Sequence, residues 1–259
     1  MNVLSNPAAR IVVGHRGAAA RFPENTAASF DHALSLGVDA IEFDLRVSSD
    51  GAVVVIHDPT VDRTTNGTGA VADMTLDDLR HLDAGARFTP DGGKTFPWRG
   101  KGLRILTFDE LLERYQSIPL LIELKVPAAT EGARQAIERH NAAGRVLMDS
   151  ALIEALGPLR GTPLLTGACF DDVLGLLPRS FVGLAPAALP YSALCIPRWY
   201  RRMPIPVRRL ARLVRQRGVP THVWTVNDPG VARALWMAGI NGIITDDPET
   251  MLDVRRTIV

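Results

Sequence analysis

Apolar runs of strand length alternate with helix-spaced segments along this chain, and that alternation limits the folds open to it. The strand candidates are 11–15 (IVVGH), 39–47 (DAIEFDLRV), 52–57 (AVVVIH), 119–124 (PLLIEL), 145–148 (RVLM), 163–167 (PLLTG), 181–184 (FVGL), 221–226 (THVWTV) and 242–245 (GIIT). Helical spacing marks 25–36, 107–115, 129–142, 170–177, 207–217, 229–238 and 248–256. In the first of these Ala27, Phe30 and Leu34 share a face, Asn25 is placed to cap the start and Gly37 to end it. Repeated β–α units mean parallel strands covered by helices. A chain of 259 residues with no long polar stretch suits one large domain over 1–259, and the fold class expected is α/β, a TIM barrel. Nine candidates for eight places put 39–47, 52–57 or 181–184 outside the ring or in a hairpin; Ser49-Asp50-Gly51 is a turn signal. An open doubly wound sheet is the other architecture, but no G-x-G-x-x-G follows a strand. Residues 59–104, rich in Gly, Thr and Asp with one short helix candidate at 75–82, read as a small insertion capping one end of the barrel.

Charge and cysteine content narrow the function. A net charge of +1 provides no global field for nucleic acid. Cys169 and Cys195 have no metal or redox spacing and read as reduced, buried thiols. The start of the chain lacks the apolar core of a signal peptide, and no apolar run approaches the ~20 residues that span a bilayer. A soluble, cytoplasmic protein is expected. There is no G-x-S-x-G, P-loop or zinc spacing.

Glu42 and Asp44 are the informative polar pair. They lie two apart in the otherwise apolar run Ala40–Leu45, so both side chains point to one face of a buried strand. Buried charge without a partner is costly. An ion bridge to Lys or Arg would explain the pair in isolation; a hard divalent cation taking oxygen ligands also would.

Chemistry in α/β barrels gathers at the C-terminal ends of the strands. There the sequence places His15-Arg16-Gly17, Glu42 and Asp44, His57-Asp58, Glu123 with Lys125, and Trp224 near Asn227. Glu42, Asp44 and Glu123 suit one divalent cation, Mg²⁺ or Ca²⁺, with Mn²⁺ a further candidate. Three carboxylates and a dication leave a single negative charge, which Arg16 and Lys125 reverse, making the site ready for one phosphate. His15 and His57 can divide the proton work, one deprotonating a nucleophile and the other protonating a leaving alkoxide. The set fits phosphoryl transfer from a diester.

Ordered blocks carry a family resemblance: His15-Arg16-Gly17 with Pro23-Glu24-Asn25-Thr26; Glu42-Phe43-Asp44, Asp50-Gly51, His57-Asp58 and Arg63–Gly67; Ile122–Lys125; Val223–Asn227; and Gly242–Asp246. In these the chain resembles the glycerophosphodiester phosphodiesterases. The resemblance implies a TIM barrel with a small insertion and hydrolysis of a glycerophosphodiester to glycerol-3-phosphate and an alcohol. It implies His15 and His57 as the acid/base pair, Glu42, Asp44 and Glu123 as metal ligands, and Arg16 and Lys125 as phosphate contacts. Trp224 would line the pocket for the glycerol or head group, and Asn25 would help hold the first loop. Three departures stand outside that set: Leu106-Thr107 before a helix, Asp149-Ser150-Ala151 at the end of a middle strand, and the basic stretch Arg198–Arg217.

That basic stretch holds eight arginines and no acid, with Trp199, Tyr200, Met203 and Ile205 interleaved. Val207, Leu210, Leu213 and Val214 within it form an ordinary core-facing stripe, so a solvated helix face accounts for the charge. Peripheral contact with anionic membrane lipid is the functional alternative, and would suit a lysophospholipid substrate cut by lysophospholipase D action. No protein partner is implied. A non-catalytic phosphate-binding barrel is the alternative from another class, disfavoured because a binder needs no acid/base pair. His32, His81, His140 and His222 read as structural, and Asp246 and Asp247 as acids capping a helix at Pro248.

Overall fold

A ring of parallel strands forms the centre of the protein, seen in a computed structural model that describes residues 2–258. In chain order the strands are β1 (Ile11–His15), β2 (Ala40–Val47), β3 (Val53–Val55), β4 (Leu120–Leu124), β5 (Val146–Asp149), β6 (Leu165–Thr166), β7 (Leu194–Pro197), β8 (Trp199–Tyr200), β9 (Met203–Pro204), β10 (Thr221–Trp224) and β11 (Gly242–Thr245). The helices are α1 (Ala27–Leu36), α2 (Leu76–Arg80), α3 (Phe108–Arg114), α4 (Ala129–Arg139), α5 (Ile153–Leu156), α6 (Phe170–Val182), α7 (Val207–Arg215), α8 (Pro229–Met237) and α9 (Pro248–Arg256). The order around the sheet is β6-β5-β4-β2-β1-β11-β10-β7. A parallel bridge between Gly167 and Ala193, just past β6 and just before β7, closes it. The fold is a TIM barrel.

Of the candidates left open for a place outside the ring, one forms a hairpin and one is helical. Residues 53–55 leave the ring and pair antiparallel with the end of β2, Leu45 opposite Val55, so 52–57 is the hairpin arm. Residues 181–184 are no strand: Phe181 and Val182 finish α6, and Gly183 caps it with φ 74°. The eighth ring strand is β7, absent from the candidates. The helix candidate 170–177 extends further, since α6 continues through Pro178 to Val182. The carbonyl that loses its helical donor to Pro178 is that of Leu174, a solvent-exposed residue.

Strand parity separates two apolar layers. Val12, Ile41, Phe43, Ile122 and Met148 point outward under the helices. Ile11, Val13, Ala40, Leu121, Leu147, Ala193, Cys195 and Ile244 point into the barrel, and Leu4 plugs it from the N-terminal ends of the strands. Between β3 and α3 the chain builds a third cluster, in which Val61, Val71, Leu79 and Ile105 bury against Val54. Thr107 begins α3 as a capping box with Glu110, a local role for the Leu106-Thr107 departure. No helix among the described residues is long and apolar enough to cross a membrane.

His222 belongs to the inner layer. Its Nε2 donates to the Leu4 carbonyl at 2.7 Å, while Nδ1 is buried without a partner. That arrangement fits the neutral ring, and burial pulls its pKa down to about 4. The unfolded chain therefore takes up this proton first as pH falls, so the contribution is intact above pH ~6.5 and lost progressively toward pH 4. His222→Gln, which retains a donor, should flatten the fall in unfolding free energy across that window by up to about 3 kcal/mol, measured by urea denaturation of both proteins at a series of pH values.

Candidate active site

The parity that fills the lower barrel with aliphatic side chains turns acidic at the upper ends of the strands. Glu42 and Asp44 continue the inward row of Ala40; Glu123 continues that of Leu121; Asp149 continues that of Leu147. Register places Asp44 beside Glu123 and Glu123 beside Asp149. His15 sits beside Glu42 on the next strand. A cavity of about 110 Å³ at this end is lined by His15, Arg16, Glu42, His57, Glu123, Lys125, Asp149 and Trp224, with Leu121 and Ile244 below. Of the eight site residues named from sequence, seven line this cavity; Asp44, the eighth, is buried behind Arg16 and Lys125.

The carboxylates are unequally compensated. Asp44 has Arg16 Nε at 3.2 Å, Lys125 Nζ at 3.0 Å and the Asn25 side-chain amide donating at 2.9 Å. Burial alone would raise its pKa, but Lys125 and Arg16 outweigh it and hold the carboxyl below its ordinary range. Glu123 pairs with Lys125 at 2.8 Å. Glu42 accepts from the Arg16 backbone N–H at 3.0 Å, and among the described residues its one ion-pair contact is His15 Nε2 at 3.9 Å. Burial, and then the charge of Asp44, pushes its pKa up to about 7.

A divalent cation fits this group. One donor oxygen from each of Glu42, Asp44 and Glu123 lies within 4.8 Å of the others. Oxygens ~2.4 Å from a shared ion are separated by no more than about twice that distance. The under-compensated Glu42 supplies the electrostatic need. Arg16 and Lys125 also face these acids, so both cations lean on the acid cluster as well as on the cavity.

Both histidines are held through Nδ1. His15 Nδ1 lies 2.6 Å from Asp246 Oδ1, and Asp246 Oδ2 accepts from the Asn227 amide at 2.7 Å. His57 Nδ1 lies 2.6 Å from Asp58 Oδ1, and Arg63 Nε holds the other Asp58 oxygen at 2.5 Å. Arg63 also reaches Glu24 at 2.6 Å, and Glu24 in turn holds Arg16 at 2.7 Å. Ion pairs thus tie the loop after β1 to the loop carrying His57. For His15, burial pulls the pKa down, but Glu42 and the Asp246 hydrogen bond outweigh it and the net shift is upward. For His57, burial prevails over Asp44 and Asp58, and the shift is downward.

Backbone geometry at the first loop is unusual. Arg16 and Asn25 both adopt the left-handed region, φ 51° and 57°. For residues with a Cβ this conformation costs about 1–2 kcal/mol each. It lets the Arg16 N–H face Glu42, and the Arg16 carbonyl accepts from the Asn25 N–H at 3.1 Å. Gly17 must be glycine, since a Cβ there would lie 2.6 Å from the Ser29 backbone. Thr26, not Asn25, caps α1; the Asn25 side chain is committed to Asp44.

Two acids at the site lay outside the sequence set. Asp246 looked like one of two helix caps, but only Asp247 caps α9. The available signal was ring closure: Gly14 pairs with Thr245, so the residues following each are neighbours. Asp149 was one of three departures set apart from the catalytic residues; instead it lines the same cavity. Its Oδ1 is buried without a hydrogen-bond partner, and burial, then the charge of Glu123, pushes its carboxyl well above the usual range. Gly167 makes room for it, since a Cβ there would fall 1.9 Å from Asp149 Oδ1.

A model of the glycerophosphoryl diester phosphodiesterase family matches residues 15–151 and 184–250. A glycerophosphodiester phosphodiesterase of Caldanaerobacter subterraneus subsp. tengcongensis is 33% identical over 264 residues, covering 95% of this chain and 98% of the relative. Another, from Bacillus subtilis, is 30% identical over 281 residues, covering 98% of this chain and 89% of the relative. The crystal structure of a glycerophosphodiester phosphodiesterase from Agrobacterium tumefaciens superposes with a TM-score of 0.76 at 28% identity, over 94% of this chain and 99% of that one. Matched along most of its length in sequence and in fold, the chain belongs to the glycerophosphoryl diester phosphodiesterase family.

Proposed function

We propose that this enzyme hydrolyses glycerophosphodiesters to glycerol-3-phosphate and an alcohol, using His15 and His57 for proton transfer and Glu42, Asp44 and Glu123 to hold one divalent cation. The observation that carries this reading is the pairing of each histidine, through Nδ1, with its own carboxylate beside a three-carboxylate cluster. With Nδ1–H donated to Asp246 or Asp58, Nε2 of each ring is the atom left for the substrate.

The mechanism follows from these placements. Arg16 and Lys125 border the cavity and draw in the phosphate anion; Arg16 can offer a fork of donors to its oxygens. Trp224, at the rim, packs against the glycerol or head group. One histidine, with Nε2 unprotonated, removes the proton of the attacking oxygen, either that of water or that of a neighbouring substrate hydroxyl whose cyclic phosphate water then opens. The other, protonated at Nε2, delivers its proton to the departing alkoxide, which leaves poorly as an anion. Asp246 and Asp58 hold the rings in the required tautomer and stabilise the charged form of each. A bound Mg²⁺, Ca²⁺ or Mn²⁺ would supply positive charge to the phosphoryl oxygens as charge builds there.

Three outcomes test this reading with glycerophosphocholine as substrate. His15→Ala and His57→Ala should each lower kcat at least ~10²-fold while divalent cation binding, followed by calorimetry, persists; near-wild-type rates for both would remove them from the chemistry. Glu42→Ala should weaken cation binding at least ~10-fold, since loss of even an outer-shell partner costs that much, and chelation by EDTA should abolish turnover until cation is restored. Asp246→Asn should cut kcat at least ~10-fold with KM little changed, because it alters the His15 tautomer rather than the substrate contacts.

A further inference from the structure

The chain leaves the barrel after β7 in an excursion that the proposed chemistry does not use. Pro197, the last residue of β7, is in register with Trp224, which lines the catalytic cavity. The chain then forms the hairpin β8–β9, with Trp199 opposite Pro204 and Tyr200 opposite Met203. Arg201 and Arg202 make its turn, Arg201 at φ 54°. Because the hairpin follows the C-terminal end of a ring strand, it stands on the catalytic face. Trp199, Tyr200 and Met203 are 54%, 39% and 62% exposed. Phe170, which opens α6 after β6, lies 5.3 Å from the Tyr200 ring and is also exposed. A groove of about 680 Å³ lies between Trp199 and Pro204 on one side and Val231 and Leu235 of α8 on the other, so the hairpin is not packed against α8. Apolar surface this concentrated normally has a partner.

The charge around it points to that partner. None of the eight arginines from Arg198 to Arg217 makes an ion pair among the described residues, whereas ten of the other eighteen do. Arg208 and Arg209 open α7 on the same face and are exposed. The apolar stripe of α7 is not part of this surface: Val207, Leu210, Leu213 and Val214 are buried in the core. Within the basic stretch, the hairpin therefore supplies apolar contact and the helix contributes charge alone. Unpaired arginines beside exposed Trp, Tyr and Met match the headgroup zone of an anionic bilayer, where aromatic rings settle and guanidinium groups meet phosphates.

We propose that the β8–β9 hairpin docks the protein onto an anionic phospholipid surface, with Trp199, Tyr200 and Met203 entering the headgroup layer and Arg201, Arg202, Arg208 and Arg209 contacting lipid phosphates. The barrel mouth then opens toward the membrane. Docking stands on the surface alone and does not depend on which diester is cleaved.

Co-flotation of the full chain with vesicles tests it, using phosphatidylcholine alone or in equal mixture with phosphatidylglycerol. Binding should be strong to the mixed vesicles, weak to the neutral ones, and reduced by high salt. Arg201→Glu combined with Arg202→Glu should lower partitioning at least ~10-fold, and Trp199→Ser combined with Met203→Ser should lower it comparably. Both variants should keep the wild-type rate on soluble glycerophosphocholine, which also shows that they fold. Absence of binding to mixed vesicles, equal binding to both vesicle types, or binding that neither variant weakens would overturn the proposal. So would self-association in solution that Trp199→Ser and Met203→Ser abolish without any vesicle binding, which would give the patch to a second copy of the chain.

Discussion

Two carboxylates pointing into a closed barrel from alternate positions of β2 set the terms for the whole catalytic face. Glu42 and Asp44 cannot turn to water, because their strand is hydrogen-bonded on both sides and their row faces the interior. Their charge must be met in place. Lys125, Arg16 and Asn25 gather on Asp44, and the left-handed turn at Arg16 brings a backbone N–H to Glu42. What these groups leave uncompensated, above all at Glu42, is what a divalent cation would satisfy.

The same economy of charge joins loops that are far apart in sequence. Glu24 and Arg63 lie 39 residues apart, yet Arg63 bridges Glu24 to Asp58 and so connects the first loop to the turn carrying His57. On the other side Asp246 links His15 to Asn227 across β11 and β10. Each histidine is therefore fixed by a segment other than its own strand or backed by one. Several of these pairs are only partly exposed, so their attraction is less screened than that of surface ion pairs.

How much of this could be read from sequence depended on range. Strand parity located Glu42 and Asp44 on one face, and repeated β–α units implied the barrel, because both signals are local and periodic. The errors arose where a contact across the fold overrode a local signal. Asn25 is a good helix cap, but Asp44 claims its side chain and Thr26 takes the cap. Asp246 sits before a proline-started helix, where an acid is easily explained, and only the adjacency of β1 and β11 exposes its contact with His15. Residues 181–184 look like a strand, but their apolar side chains are solvent-exposed at the end of α6; β7, four residues ending in Pro197, lies in a stretch punctuated by Pro186 and Pro190, where the local signal is for turns. Asp149 required the register between β4 and β5 to bring it to Glu123.

On the reading proposed above, the acid cluster is a cation cradle, and Arg16 and Lys125 are not its full complement. Crystals grown with Mn²⁺ and measured by anomalous diffraction test it most directly. One anomalous peak should appear within ~2.0–2.6 Å of oxygens from Glu42, Asp44 and Glu123 together. A cluster without a peak, its carboxylates still held only by Arg16 and Lys125, or a peak elsewhere in the molecule, would contradict it.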